Sequence, residues 1–199
     1  LQYDTNINKT RDLEAIALQT ELVDLLFTNC LEIGCGTGKN TQWLLTKTNK
    51  LLAVDISEVM LAKAKEKIKV PHVSFLQADI LQPWQFATEK YSMVTFSLVL
   101  EHIENLDALF KKLSETVVTD GYVYIGELHP FKQYAGTKAR FETEEGVQVV
   151  TCFTHHLSDF TEAALQNDFK IIAINEYFDD NDRNTIPRIL TMLFKKIST

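Results

Sequence analysis

Little in this sequence points toward disulfides, metals or membranes. Its three cysteines, Cys30, Cys35 and Cys152, are scattered. They form no C-x-x-C pair and no metal-ligand spacing, so a reduced, cytoplasmic protein without a metal is the expectation. No apolar run approaches the ~20 residues that span a bilayer, and the N-terminus, starting at Leu1, has no signal-peptide apolar segment. An excess of positive charge is missing too: 20 Lys and Arg stand against 27 Asp and Glu, a formal net charge of -7. That balance argues against a nucleic-acid backbone or an anionic membrane as the main partner. The run Lys63, Lys65, Lys67, Lys69 alternates with apolar residues and Glu66, as a solvated helix face does.

The 199 residues, 45% hydrophobic and 24% charged, suit one soluble domain spanning 1–199. Only seven glycines occur, and three of them fall at alternate positions, Gly34, Gly36 and Gly38. A short apolar run, Cys30 to Ile33, leads into them, and a helix-like segment from Lys39 to Thr46 follows. Strand, glycine turn and helix start in succession mark the place where an open α/β sheet takes a nucleotide-like ligand. A P-loop is ruled out, because Asn40 follows Lys39 and Ile33 stands where the first glycine belongs. The dinucleotide pattern G-x-G-x-x-G fails as well, its third glycine arriving one residue early. Further on, Asp55 closes a second strand (Leu51 to Val54) roughly twenty residues after the glycines. An acid there is placed to take both hydroxyls of a ribose.

The words LEIGCGTGKN, with Glu32-x-Gly34-x-Gly36-x-Gly38 at their centre, resemble motif I of the class I S-adenosylmethionine (SAM) dependent methyltransferases. Gln77-Ala78-Asp79-Ile80 is similar to the adenine-contacting motif of that family, and Leu98-Val99-Leu100-Glu101-His102 to a segment of its small-molecule branch. Ser92 departs from that branch, which usually has Asp at this place. The resemblance implies a Rossmann-like α/β fold: a seven-stranded, mostly parallel sheet with helices on both faces and an antiparallel C-terminal strand hairpin. It implies SAM as cofactor and S-adenosylhomocysteine as product. Gly34, Cys35, Gly36 and Gly38 would shape the amino-acid end of the cofactor, with Glu32 orienting its amine. Asp55 would take the ribose and Asp79 the adenine, with Ile56, Met60 and Ile80 beside the ring. Ser97 and Leu98 would lie next to the sulfonium. The absence of an N/D-P-P-Y/F tetrapeptide lowers the weight of nucleic-acid bases and amide nitrogens as acceptors.

Helical spacing from Arg11 to Phe27 predicts a helix in an N-terminal arm (1–28). Tyr3 and Arg11 there either touch substrate or belong to a polar capping arm. A further helix is expected over Leu157–Asn167, and two last strands over Lys170–Phe178 and Ile189–Ile197. Between strand five (Gly121–Glu127, after an Asp120-Gly121 turn) and that helix, residues 128–156 form an insertion too long and too aromatic for a plain connector. Its segment Val147–Phe153 alternates as a hairpin strand does. His129, His155 and, after strand four, His102 are the candidate bases. Tyr134, Arg140 and His156 are the candidate substrate contacts, an arginine being suited to a carboxylate or phosphate. The function expected is methyl transfer to a small molecule, on oxygen first, with carbon or nitrogen behind. The alternative is a non-catalytic SAM-binding regulatory or scaffolding protein. A monomer or homodimer is expected in either case.

Overall fold

Strand residues that alternate between two apolar faces build one central sheet here, and helices cover both faces. The computed structural model describes residues 8–136, 140–143, 146–149 and 152–198, without the side chains of 140–143 and 146–149. The strands are β1 (Cys30–Ile33), β2 (Leu51–Asp55), β3 (Val73–Gln77), β4 (Tyr91–Ser97), β5 (Val117–Leu128), β6 (Arg140–Thr143), β7 (Gly146–Val149), β8 (Phe169–Tyr177) and β9 (Ile189–Lys196). Seven of them form a sheet in the order β3-β2-β1-β4-β5-β9-β8, and β6 pairs with β7 in a separate antiparallel ribbon. All pairs up to β4–β5 are parallel, whereas β9 runs antiparallel to both β5 and β8. The strand order reverses between β1 and β4, so a crevice opens at the carboxyl ends of those two strands.

The helices are α1 (Lys9–Leu22), α2 (Lys39–Leu44), α3 (Glu58–Lys67), α4 (Leu106–Thr116), α5 (Pro130–Tyr134) and α6 (Leu157–Gln166). One sheet face packs Leu31, Ile33, Val94, Phe96, Val123 and Ile125 against α4 and α6, through Leu109, Phe110, Leu113, Phe160 and Ala164. The other packs Cys30, Ala53, Met93 and Tyr124 against Leu18, Leu22, Leu44 and Leu61 of α1, α2 and α3. The alternation of the two sets along β1 and β4 is the period-two rule at work. Side chains start the longer helices: Asn8 Oδ1 accepts from the N–H of Thr10 and Arg11, Ser57 from Met60, and Asn105 from Ala108.

Two details differ from the sequence expectation. The first helix ends at Leu22, and Phe27 instead bridges to Thr48 beside β2. The predicted Asp120-Gly121 turn is a bulge inside β5: Tyr91 lies opposite Val117 but Met93 opposite Tyr122, and Asp120 takes the left-handed φ of 64°. A turn dipeptide inside a strand serves a bulge equally well. Ser92, the departure from the family pattern, forms a closed set of hydrogen bonds with Asn29, including its N–H to Asn29 Oδ1 at 2.9 Å and its hydroxyl to the Asn29 carbonyl at 2.8 Å. The pair fastens the start of β4 to the segment entering β1.

Candidate active site

The glycine turn sits at the crevice because β1 and β2 end there together. The N–H groups of Gly34 and Cys35 both donate to the Val54 carbonyl, at 2.8 and 3.1 Å, and fold the chain back over the end of β2. Gly34 has φ +74°, and a Cβ on it would stand 2.3 Å from Val99 Cγ2, so the turn after β4 packs directly on its α-carbon. Gly36 has φ +53° and nothing within 4 Å of the place a Cβ would take. Its surface is open toward the crevice, as close approach to a ligand requires. Gly38 precedes α2 and packs on Ile68 and Ala64 at the end of α3. Cys35 is buried, and burial pushes its thiol well up, so it serves the turn by packing.

Asp55 closes the turn from the β2 side. Its Oδ2 accepts from the Gly36 N–H at 2.8 Å and its Oδ1 from the Ser57 N–H at 2.8 Å. Each carboxylate oxygen has two lone-pair sites, so each keeps one for a further donor. Ile56 beside it is apolar yet 67% exposed, and Met60 of α3 and Ile80 after β3 are half-buried. Asp79 follows β3; its Oδ1 accepts from the Leu81 N–H at 2.9 Å, and the Ala78 N–H donates to the Asp55 carbonyl at 3.0 Å. The two acids are thereby held in one backbone frame.

Beyond β4 the chain turns under strain. Leu98 has φ +59°, rare for a residue with a γ-branch, and is held there by its N–H to the Gly126 carbonyl at 2.8 Å. Glu127, at the end of β5, accepts the next two N–H groups, Val99 at 2.9 Å and Leu100 at 2.8 Å, on one oxygen. Its other oxygen is buried without a partner among the described residues. Burial, with Glu101 close by, pushes Glu127 up to about 8. Ser97 accepts from Asn40 Nδ2 at 3.1 Å, and the same amide donates to Glu14 of α1 at 3.0 Å. Glu14 also accepts from the Tyr124 hydroxyl at 3.2 Å and is pushed up to about 7 by burial. Glu32 takes the Thr41 hydroxyl at 2.5 Å, so it joins β1 to α2; burial raises it to about 8.

The candidate histidines follow β4 and β5 or precede α6. His129 is 5% exposed; its Nδ1 accepts from the Phe131 N–H at 3.2 Å, and its Nε2 meets Glu176 at 3.0 Å. Both ring nitrogens are thus engaged, and burial lowers its pKa. His155 directs Nε2 to the Ile103 carbonyl at 2.6 Å and stands edge-on to Phe160. His102 belongs to a 3-10 turn, Leu100–His102, four residues after Leu98. His156 precedes α6, and its Nδ1 meets the Tyr134 hydroxyl, joining α5 to α6 across the insertion. Arg11, in the first turn of α1, lies 3.5 Å from the Asp12 carboxylate. Tyr3 and the Arg140 side chain lie outside the described residues. No group of His, Cys, Asp or Glu among the described residues has the arrangement of a metal site.

Residues 31–125 match the family model described as a methyltransferase domain. They contain the glycine turn, Asp55, Asp79 and the strained turn at Leu98. The chain carries a methyltransferase domain. It is 27% identical over 159 residues to malonyl-[acyl-carrier protein] O-methyltransferase 1 of Ilyobacter polytropus, covering 75% of this chain and 56% of that one. It spans about half the length of the curated relatives it matches. In fold it is similar to a SAM-dependent methyltransferase from Mesorhizobium loti (TM-score 0.74, 17% identity, 92% of this chain and 98% of that one). It is likewise similar to the N-methyltransferase NodS of Bradyrhizobium japonicum in complex with S-adenosylhomocysteine (TM-score 0.71, 17% identity, 98% and 92%).

Within this methyltransferase domain, three polar residues escaped sequence reasoning. Glu14 sits at the i, i+4, i+8 spacing of Leu18 and Leu22, which marks the buried face of α1 and was the available signal. Glu127 is the one charge in the strand end Val123–Leu128, a second available signal, and all six residues are buried. Asn40 carried none, because its partners lie on α1 and β4.

Proposed function

We propose that this chain binds SAM across the carboxyl ends of β1, β2 and β3 and transfers its methyl group to a small-molecule acceptor. The observation that carries this reading is the joint of Gly36 and Asp55. An open glycine surface abuts a carboxylate whose two oxygens are fixed by backbone N–H groups and still have lone pairs for two ribose hydroxyls. The glycine turn would cradle the amino-acid end, with Glu32 reaching it through the Thr41 joint. Asp79 and the Ile80 N–H would read the adenine edge, and exposed Ile56 would cover the ring. SAM supplies an already activated methyl group. What falls to the protein is alignment, which by itself accounts for about 7–11 kcal/mol in well-oriented reactions. The fixed backbone of Ser97 and Leu98 would provide it.

Oxygen is the proposed acceptor atom, and a carboxylate suits the site best. A carboxylate is ionised at neutral pH and requires no base, and His129 and His155 are both committed to structural hydrogen bonds. The name of the Ilyobacter relative, an O-methyltransferase, supports the same choice. Arg11, Tyr134 and His156 are proposed to border the acceptor, and His102 to serve if a neutral hydroxyl has to lose its proton. Calorimetric titration with SAM and S-adenosylhomocysteine tests the reading. Micromolar binding that collapses in Asp55→Ala supports it, and acceptors can then be screened by methyl transfer. Absence of heat and of thermal stabilisation with both ligands refutes it.

A further inference from the structure

The turn proposed to read adenine has little of its own to hold it. It follows β3, an edge strand with no fully buried residue, and Leu81 within it is 60% exposed. Yet its carbonyls converge on one point. The ammonium of Lys112, on α4, donates to the carbonyls of Ile80, Leu81 and Gln82, each at 2.9 Å. Those three bonds use all three protons of the group. The Trp84 indole N–H adds a second donor to the Ile80 carbonyl, also at 2.9 Å.

We infer that Lys112 is a positioning residue for adenine recognition, an inference that rests on the cofactor reading above. Peptide units are planar, so fixing a carbonyl fixes the N–H on its far side. The Ile80 carbonyl, held by Lys112 and Trp84, aims the Leu81 N–H, and that N–H holds Asp79 Oδ1 at 2.9 Å. The Asp79 carbonyl, held by the Gln82 N–H at 3.1 Å, aims the Ile80 N–H in turn. Carboxylate and N–H, the acceptor and the donor that adenine's edge requires, are thus set by one turn. Lys112 fastens that turn to a helix anchored in the core by Leu109, Phe110 and Leu113. The charge of Lys112 also faces the Asp79 carboxylate.

The test compares S-adenosylhomocysteine with S-inosylhomocysteine, in which a carbonyl oxygen replaces the adenine amine and reverses the donor pattern. The wild type is expected to prefer the adenosyl ligand at least tenfold. In Lys112→Met, affinity for it falls about tenfold and the preference shrinks at least threefold; Lys112→Arg restores most of the preference. Trp84→Phe repeats the test on the second donor, with a smaller loss of preference, should Lys112→Met not fold. A lower melting temperature with the preference unchanged in Lys112→Met, or in Trp84→Phe if that variant has to replace it, overturns the inference and leaves a merely structural contact. Failure of the wild type to bind either ligand overturns the cofactor reading and this inference together, and it is seen before any variant is made.

Discussion

Replacing Gly34 by alanine separates two costs that this turn combines. The first is conformational: at φ +74° a Cβ approaches the following carbonyl, which costs about 1–2 kcal/mol. The second is a collision, since the new Cβ would stand 2.3 Å from Val99 Cγ2, while Val99 Cβ and Cγ1, at 3.6 and 3.7 Å, are in ordinary contact. One methyl group is in the way. Val99 cannot retreat as a unit, because its N–H is held by Glu127 and its side chain packs on the core. Nor does its β-branched side chain rotate freely. Overpacking of this kind costs about 1–3 kcal/mol, so Gly34→Ala should lose about 2–5 kcal/mol, a large part of a domain's usual stability. Val99→Ala removes the colliding methyl. In the double variant the collision term vanishes and the conformational term remains. Urea unfolding of all four proteins should therefore give a favourable coupling of about 1–3 kcal/mol between the two sites. S-adenosylhomocysteine affinity should recover in parallel, since Val99 follows the strained Leu98. Strict additivity, within about 0.5 kcal/mol, would refute the collision and leave the φ argument alone.

The buried acids predict an unusual pH dependence. Glu14, Glu32 and Glu127 keep their protons in the folded chain up to about 7, 8 and 8, against an ordinary carboxyl value of 4.5. Between pH 4.5 and 8 the folded state therefore binds more protons than the unfolded one, and stability falls as pH rises, by up to about 1.4 kcal/mol per pH unit for each acid. Urea midpoints measured from pH 5 to 8 should decline, and Glu32→Gln should flatten the decline; a rising curve would contradict these assignments. In the core, Phe110 meets Phe169 and Phe194 edge-on at 5.9 and 5.6 Å and is fully buried. Phe110→Ala should cost about 3–5 kcal/mol by the same assay, and a cost under about 1 kcal/mol would mean that α4 does not anchor that face of the sheet.

What could be read from the chain, and what could not, divides by the distance over which a residue acts. Gly34, Gly36 and Asp55 act on their own turn, and their spacing alone suggested strand, turn and acid in the right order. The two last strands, β8 and β9, were legible too, and the family resemblance supplied their antiparallel hairpin. Lys112 acts on carbonyls thirty to thirty-two residues before it, and Glu14 meets Tyr124 110 positions away. Lys112 has no local pattern and looks like an ordinary charge on a helix, and for Glu14 only the spacing to Leu18 and Leu22 marks the buried face. On α1 the apolar Ile16 is 58% exposed while the acid Glu14 is buried. The histidines mislead for the opposite reason: their chemistry is familiar, and only the structure shows that His129 and His155 already have partners. It follows that the polar groups most able to tune this site are the ones least visible in the sequence. A buried acid on α1 joined through Asn40 to Ser97 makes the first helix part of the crevice wall rather than a cover laid over it. Substitutions at Glu14 should therefore alter cofactor affinity as well as stability.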